Sequence, residues 1–257
     1  MTDNPKETRD MPDHPTLDQF RAAVAQDLAF LAALHNAELD DALLARLIQA
    51  DFPRGLGLRL ESGEGVAARE FMALAMAELA PPLTLAARDE LAADYAAIYL
   101  TYALHASPCE SVWLDQENLA MQAPMFQVRE FYRHHRLAAA DWRTRPDDHL
   151  VLELHFLACL LQDEHPQALP EAARFLDDHL QRWLPLFARR VSARCATPFY
   201  AGAARLSAAY CDELRDLLAG LLRTPRPSAA EVEARMQPRP QPGAAPLTYM
   251  PGASPSW

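Results

Sequence analysis

Asp147, Asp148 and His149 stand together behind Pro146, and Glu153 follows four residues after His149. Carboxylates beside an imidazole suit three kinds of chemistry. They can receive a cationic ligand through charge-assisted hydrogen bonds. His149 and Glu153, at i and i+4 on one helical face with Asp148 beside them, could contribute to a metal site. Alternatively, Asp147 caps a helix and Asp148 favours its dipole, with no ligand involved.

The segment that follows, LVLELHFLACLL, is apolar on nearly every face. Such a helix belongs inside a core. Proline at a first helical position, with acids in the first turn, predicts that the helix begins at Pro146. The polar trio is therefore expected where a central helix reaches the surface, beside free N–H groups and the positive dipole end.

Other chemistries lack their motifs. The chain has no HExxH, no His-Asp dipeptide, no GxSxG and no GxxxxGK[ST]. These absences argue against zinc proteases, HD-type phosphohydrolases, serine hydrolases of the elbow type and P-loop enzymes. Cys109, Cys159, Cys195 and Cys211 show no CxxC spacing. A reducing compartment is expected, with Cys159 as a small core residue. Metal and cofactor are not expected.

The elements that must hold these residues are helical. The chain of 257 residues is 50% hydrophobic, rich in alanine and leucine, and has only eight glycines. Strand patterns are absent, so the fold class is all-α, a single globular multi-helix domain of about nine to eleven helices. Expected boundaries are a disordered N-terminus over 1–15, a helical body over 16–223 and a proline-rich disordered tail over 224–257. The first helix should span roughly 16–37, with a capping box at Thr16 and Gln19 and a stripe of Leu17, Phe20, Val24, Leu28, Leu31 and Leu34. Further helices are expected near 41–52, 65–80, 84–103, 124–135, 146–161, 170–183, 185–195 and 198–222. Tyr95, Tyr99 and Tyr102 should make core contacts, and 104–118 should be an irregular loop.

The formal charge is −11. Nucleic acid and anionic membranes are then poor partners. The N-terminus lacks the apolar core of a signal peptide, and no apolar run approaches the roughly 18 residues a membrane helix needs. A cytoplasmic protein without stable membrane insertion is expected.

Read in order, several segments resemble the TorD/DmsD/NarJ-like family of molybdoenzyme-specific chaperones. These are Tyr95-x-x-x-Tyr99 with the loop Ser107–Leu114, the run Val128–Tyr132, Pro146-Asp147-Asp148-His149-Leu150 with Glu153-Leu154, and His179-Leu180-x-x-Trp183-x-Pro185-x-Phe187 with Phe199-Tyr200. The chain departs from the pattern at Arg145, where glutamate is usual, at Cys109, where an aromatic residue is common, and at Arg136, where glycine is frequent. The resemblance covers roughly 16–222. It implies an all-helical fold without catalysis. It also implies a partner: the N-terminal signal peptide and apo form of a molybdopterin-containing oxidoreductase. In the export branch that peptide is a twin-arginine leader, held until the cofactor is inserted and the enzyme is freed for Tat export. A non-exported nitrate-reductase-like client is the neighbouring alternative, and a helical metal-dependent hydrolase on Asp148, His149 and Glu153 the remote one.

On this resemblance Asp148 and Glu110 would receive the leader's arginines. Leu104, Cys109 and Trp113 would line an apolar groove for its hydrophobic stretch. His149 would bond peptide backbone or hold Asp148. Pro146, Asp147, Glu153 and Trp183 would belong to the supporting motif. Monomer and helix-exchanged dimer are both compatible with the family, with 104–118 or 136–146 as a hinge.

Overall fold

The apolar stripe of the first helix, α1 (Pro15–Asn36), is buried at Val24, Leu28, Leu31 and Leu34, whereas Leu17 is exposed. A computed structural model describes residues 15–237. The expected disorder of the ends falls largely on 1–14 and 238–257, and these lie outside the described residues, as does the Thr16 side chain of the anticipated capping box.

Local capping sets the next starts. Asp40 accepts the Leu43 N–H ahead of α2 (Asp41–Gln49), Ser62 that of Gly65 ahead of α3 (Gly63–Ala77), and Thr84 that of Ala87 ahead of α4 (Leu85–Tyr95). Each leaves one fewer orphan donor in a first turn. α4 runs on into a π-helical turn over Ala96–Leu100.

The expected loop 104–118 contains one helical turn, α5 (Ser111–Leu114), followed by α6 (Ala123–His134). The central helix α7 spans Leu150–Gln162 and does not begin at Pro146. His149 is its N-cap, its Nδ1 accepting the Val151 N–H at 3.2 Å. Pro146, Asp147 and Asp148 precede the helix because the polar groups of Asp147 and Asp148 are engaged sideways by α6 and by the 108–111 segment.

The two helices expected over 170–195 are one uninterrupted run: α8 (Ala168–Phe175), a π-helical turn (Leu176–Leu180) and α9 (Gln181–Arg194) with Pro185 inside it. α10 (Pro198–Leu222) closes this set.

α7 packs along α1, and α10 packs against both α9 and α3. Gly202 makes the α3 contact possible: a Cβ there would stand 2.7 Å from Met72 Sδ and 3.3 Å from Met72 Cα. Trp183, Tyr200, Tyr210, Phe175, Phe187 and Phe199 are the bulkiest fully buried side chains. Two of the three expected core tyrosines, Tyr95 and Tyr99, are buried, whereas Tyr102 is 45% exposed. Cys159 is exposed rather than internal, because it sits on the one face of α7 that the neighbouring helices leave open; all four cysteines are free.

The described residues up to Arg226 form one compact unit, and those from Pro227 form another. The second contains α11 (Ala229–Met236), opened by a reciprocal capping box between Ser228 and Glu231. This corrects the expectation that everything after Thr224 is structureless: Ser-x-x-Glu supplies a helix start that the proline content concealed.

Candidate functional site

The Pro146–His149 segment is a latch. The Glu110 N–H donates to the Asp148 carbonyl at 3.0 Å, and the Leu150 N–H to the Pro108 carbonyl at 2.8 Å. Cys109 and His149 form an antiparallel bridge. Asp148 Oδ2 accepts the Ser111 N–H at 2.7 Å, where it caps the first turn of α5. Asp147 Oδ2 receives both Arg129 Nε (3.1 Å) and Nη2 (2.8 Å), while Tyr132 Oη donates to the Asp147 carbonyl at 2.8 Å. Arg129 in turn stacks on Trp142, 4.7 Å from the ring centroid. The motif thus ties the 108–111 segment, α6 and the start of α7 together.

Three acids meet beneath this latch. Glu110, Asp148 and Glu153 each have 0% exposure. Glu110 Oε2 lies 2.8 Å from His179 Nδ1, and Arg182 Nη1 is 3.9 Å from its other oxygen. Trp183 Nε1 donates to Glu153 Oε2 at 3.2 Å. Burial, then the neighbouring Glu110 and Asp148 charges, raise the Glu153 carboxyl well above its ordinary range, and its hydrogen bond to Glu110 acts in the same direction. Burial also raises Asp148, opposed by the Ser111 bonds. His149 is held neutral: burial, then Arg145, lower it to about 3.

These positions correct the expected surface rim. Asp148, Glu110 and Glu153 are enclosed, and His149 is 8% exposed. None presents a free carboxylate or imidazole to a ligand: Asp148 accepts the Ser111 N–H, His149 caps α7, Glu110 pairs with His179 and Glu153 accepts from Trp183. Among the described residues no group of three His, Cys, Asp or Glu is arranged to hold a metal ion.

The groove itself exists beside the latch. A cavity of about 1360 Å³ is bordered by Cys109, Trp113 and Pro146, which were singled out from the sequence, and by Tyr102, Val112 and Leu186. Leu104 is not among its lining residues; it is half-buried, and its carbonyl accepts from Arg194 Nη1 at 2.8 Å. Trp113 is half-buried, with Nε1 donating to the Ser107 carbonyl at 2.8 Å and the Arg190 guanidinium 4.8 Å above its ring. Four lining residues, Tyr102, His105, Asn118 and Met121, adopt φ between 50° and 59°. Left-handed backbone at non-glycine residues is uncommon and costs energy, and it gathers where a ligand surface must be shaped. Sequence reading gave these four, and Arg189, Arg190 and Arg194 on α9, no place in the groove; only the fold brings α9 beside the 102–121 segment.

Two comparisons bear on identity. The family model described as the nitrate reductase delta subunit matches residues 67–189. "Chaperone protein TorD" of Vibrio cholerae serotype O1 (strain ATCC 39541) is 34% identical over 146 residues, covering 53% of this chain and 66% of the relative. The Vibrio vulnificus (strain YJ016) protein of the same name is 32% identical over 143 residues, covering 52% and 66%. That of Photobacterium profundum is 30% identical over 134 residues, covering 49% and 62%. The match thus spans slightly under two thirds of these relatives. The latch motif, the helical scaffold and these matches together support the TorD/DmsD/NarJ-like family of chaperones as the one this chain resembles.

Proposed function

We propose that this protein is a non-catalytic maturation chaperone for a molybdopterin-containing oxidoreductase. It binds an N-terminal segment of the apo enzyme in the groove beside the latch, and holds it in the cytoplasm until the cofactor is inserted. The observation that carries this reading is the groove: an apolar floor of Trp113, Val112 and Leu186 set on a strained, buttressed wall. Such a floor suits the hydrophobic stretch of a leader, laid in as an apolar helix face.

For an exported client the segment is a twin-arginine leader. Its arginine pair then stays outside the groove, attracted by a chain whose formal net charge is −11. Asp148 and His149 serve as positioning residues: they hold the 108–111 segment and the wall of the groove without touching the peptide. Among the described residues no helix is long and apolar enough to cross a membrane.

A second reading is favoured by one observation. Arginines border the groove, so a client of the nitrate-reductase type, whose segment lacks an arginine pair, would meet less repulsion there. Expression of the tagged full chain in its native host, with metal analysis of the captured oxidoreductase, tests the proposal. Capture of molybdenum-free enzyme, with the loaded form left behind, is expected. Equal capture of loaded and unloaded enzyme would contradict it.

A further inference from the structure

Two arginines of the groove are committed to the protein itself. Arg190 Nη1 donates to the His105 carbonyl at 2.9 Å, and Arg194 Nη1, one turn further along α9, donates to the Leu104 carbonyl at 2.8 Å. The stretch they hold follows the π-helical turn and has Tyr102 (φ 54°) and His105 (φ 50°) in the left-handed region. Backbone of that kind persists only where its surroundings fix it. Bonds from charged donors are among the stronger ones available for this. Arg190 has a second contact. Its guanidinium lies 4.8 Å from the centre of the Trp113 ring, and the indole Nε1 donates to the Ser107 carbonyl at 2.8 Å. One side chain of α9 therefore touches both the 102–105 stretch and the apolar floor on α5.

From this we infer that Arg190 is a positioning residue for client binding: it sets the orientation of the Trp113 ring and acts through that ring, not by touching the peptide. The inference rests on the proposed client-binding role and adds the residue that gives the floor its shape. Trp113 stands on a helical turn of only four residues, where its side chain has little to hold it from its own element. The Ser107 bond fixes one edge of the indole, and the guanidinium covers a face. A planar guanidinium can stack on a ring while donating to a carbonyl, which a lysine ammonium does less well. The ring is then ordered before a peptide arrives, so less side-chain freedom is lost on binding. Arg190 is itself exposed, so its replacement opens no cavity in the core.

The test uses the full chain and a dye-labelled peptide with an uncharged leucine-alanine run, read by fluorescence anisotropy, so that attraction between opposite charges does not enter. Arg190→Ala should bind it about two- to fivefold more weakly than wild type, the range of an exposed cation–π contact. In a Trp113→Ala background the same substitution should cost nothing further. Trp113 emission, taken as the difference between each protein and its Trp113→Phe counterpart, should be quenched more readily by acrylamide in Arg190→Ala, with an unchanged far-ultraviolet spectrum. Full additivity of the two alanine substitutions would overturn the inference, because Arg190 would then act on the peptide directly. Unchanged affinity or unchanged quenching in Arg190→Ala would overturn it too. The two claims separate cleanly. Wild type that binds no peptide removes the client reading; wild type that binds, with Arg190→Ala its equal, removes only the role of Arg190.

Discussion

At the scale of single residues the buried acids act through the groups they hold and not through exposed charge. Glu153 is raised because burial and two nearby carboxylates all oppose its ionisation. A raised folded-state value means that the folded protein keeps a proton the unfolded chain releases. Stability from this group therefore falls as pH climbs above the unfolded carboxyl value. Glu153→Gln keeps an acceptor for Trp183 and removes the titrating group, so it should match or exceed wild type in Tm, and its advantage should grow from pH 5 to pH 8. Glu153→Ala should cost about 2–3 kcal/mol in a urea titration, since it strands the Trp183 N–H and opens a cavity.

His35 runs the other way. It is fully buried between Tyr99 Oη (2.6 Å) and Ser207 Oγ (2.9 Å), and burial lowers it to about 3. A depressed histidine stays neutral in the fold while the unfolded chain takes up a proton. Its contribution is thus complete above the unfolded value of 6.5 and is lost as pH falls toward about 3. Each pH unit in that window is worth up to about 1.4 kcal/mol. His35→Gln should flatten the acid limb of a Tm–pH curve between pH 6.5 and 4.5; an unchanged slope would show that this site does not titrate on unfolding.

At the scale of elements, legibility followed periodicity. The starts of α2, α4 and α10 could be read from Asp40, Thr84 and Pro198 because capping is local. The start of α7 could not. Pro-Asp-Asp resembles a helix N-terminus, but Arg129, Tyr132 and the Ser111 N–H, all distant in sequence, claim those groups first. The π-helical turns at Ala96–Leu100 and Leu176–Leu180 carry no local signature either, and the second bridges what periodicity divided into two helices.

The two glycines of α10 give a paired prediction. Gly202 faces Met72 at a distance no Cβ tolerates, whereas a Cβ on Gly220 meets nothing within 4 Å. Gly202→Ala should destabilise by about 1–3 kcal/mol through overpacking. Gly220→Ala should stabilise by up to about 1 kcal/mol through helix propensity. Chemical denaturation of the two variants checks both signs; a stabilised Gly202→Ala would show that α3 shifts freely against α10.

Across the whole molecule, the fold class and the composite motif were legible, but the working surface was only half so. Cys109, Trp113 and Pro146 do border the groove. The arginines of α9 do not announce themselves, since their meaning depends on the α9 surface meeting the 102–121 segment. The buried trio misled because polar residues beside a core helix were read as ligand-facing, when a carboxylate with several N–H partners is as readily a fastener. Asp148→Ala should therefore cost about 1–3 kcal/mol of stability by leaving the Ser111 N–H unmet, and weaken client binding only through that loss.

The most direct measurement is a calorimetric titration of the captured oxidoreductase's N-terminal segment, as a synthetic peptide, into wild type, Trp113→Ala and Asp148→Asn. If the groove holds that segment, Trp113→Ala binds at least about tenfold more weakly with an unchanged far-ultraviolet spectrum, and Asp148→Asn binds almost as wild type does. An unaltered Kd in Trp113→Ala, or a lost one in a fully folded Asp148→Asn, would contradict the account.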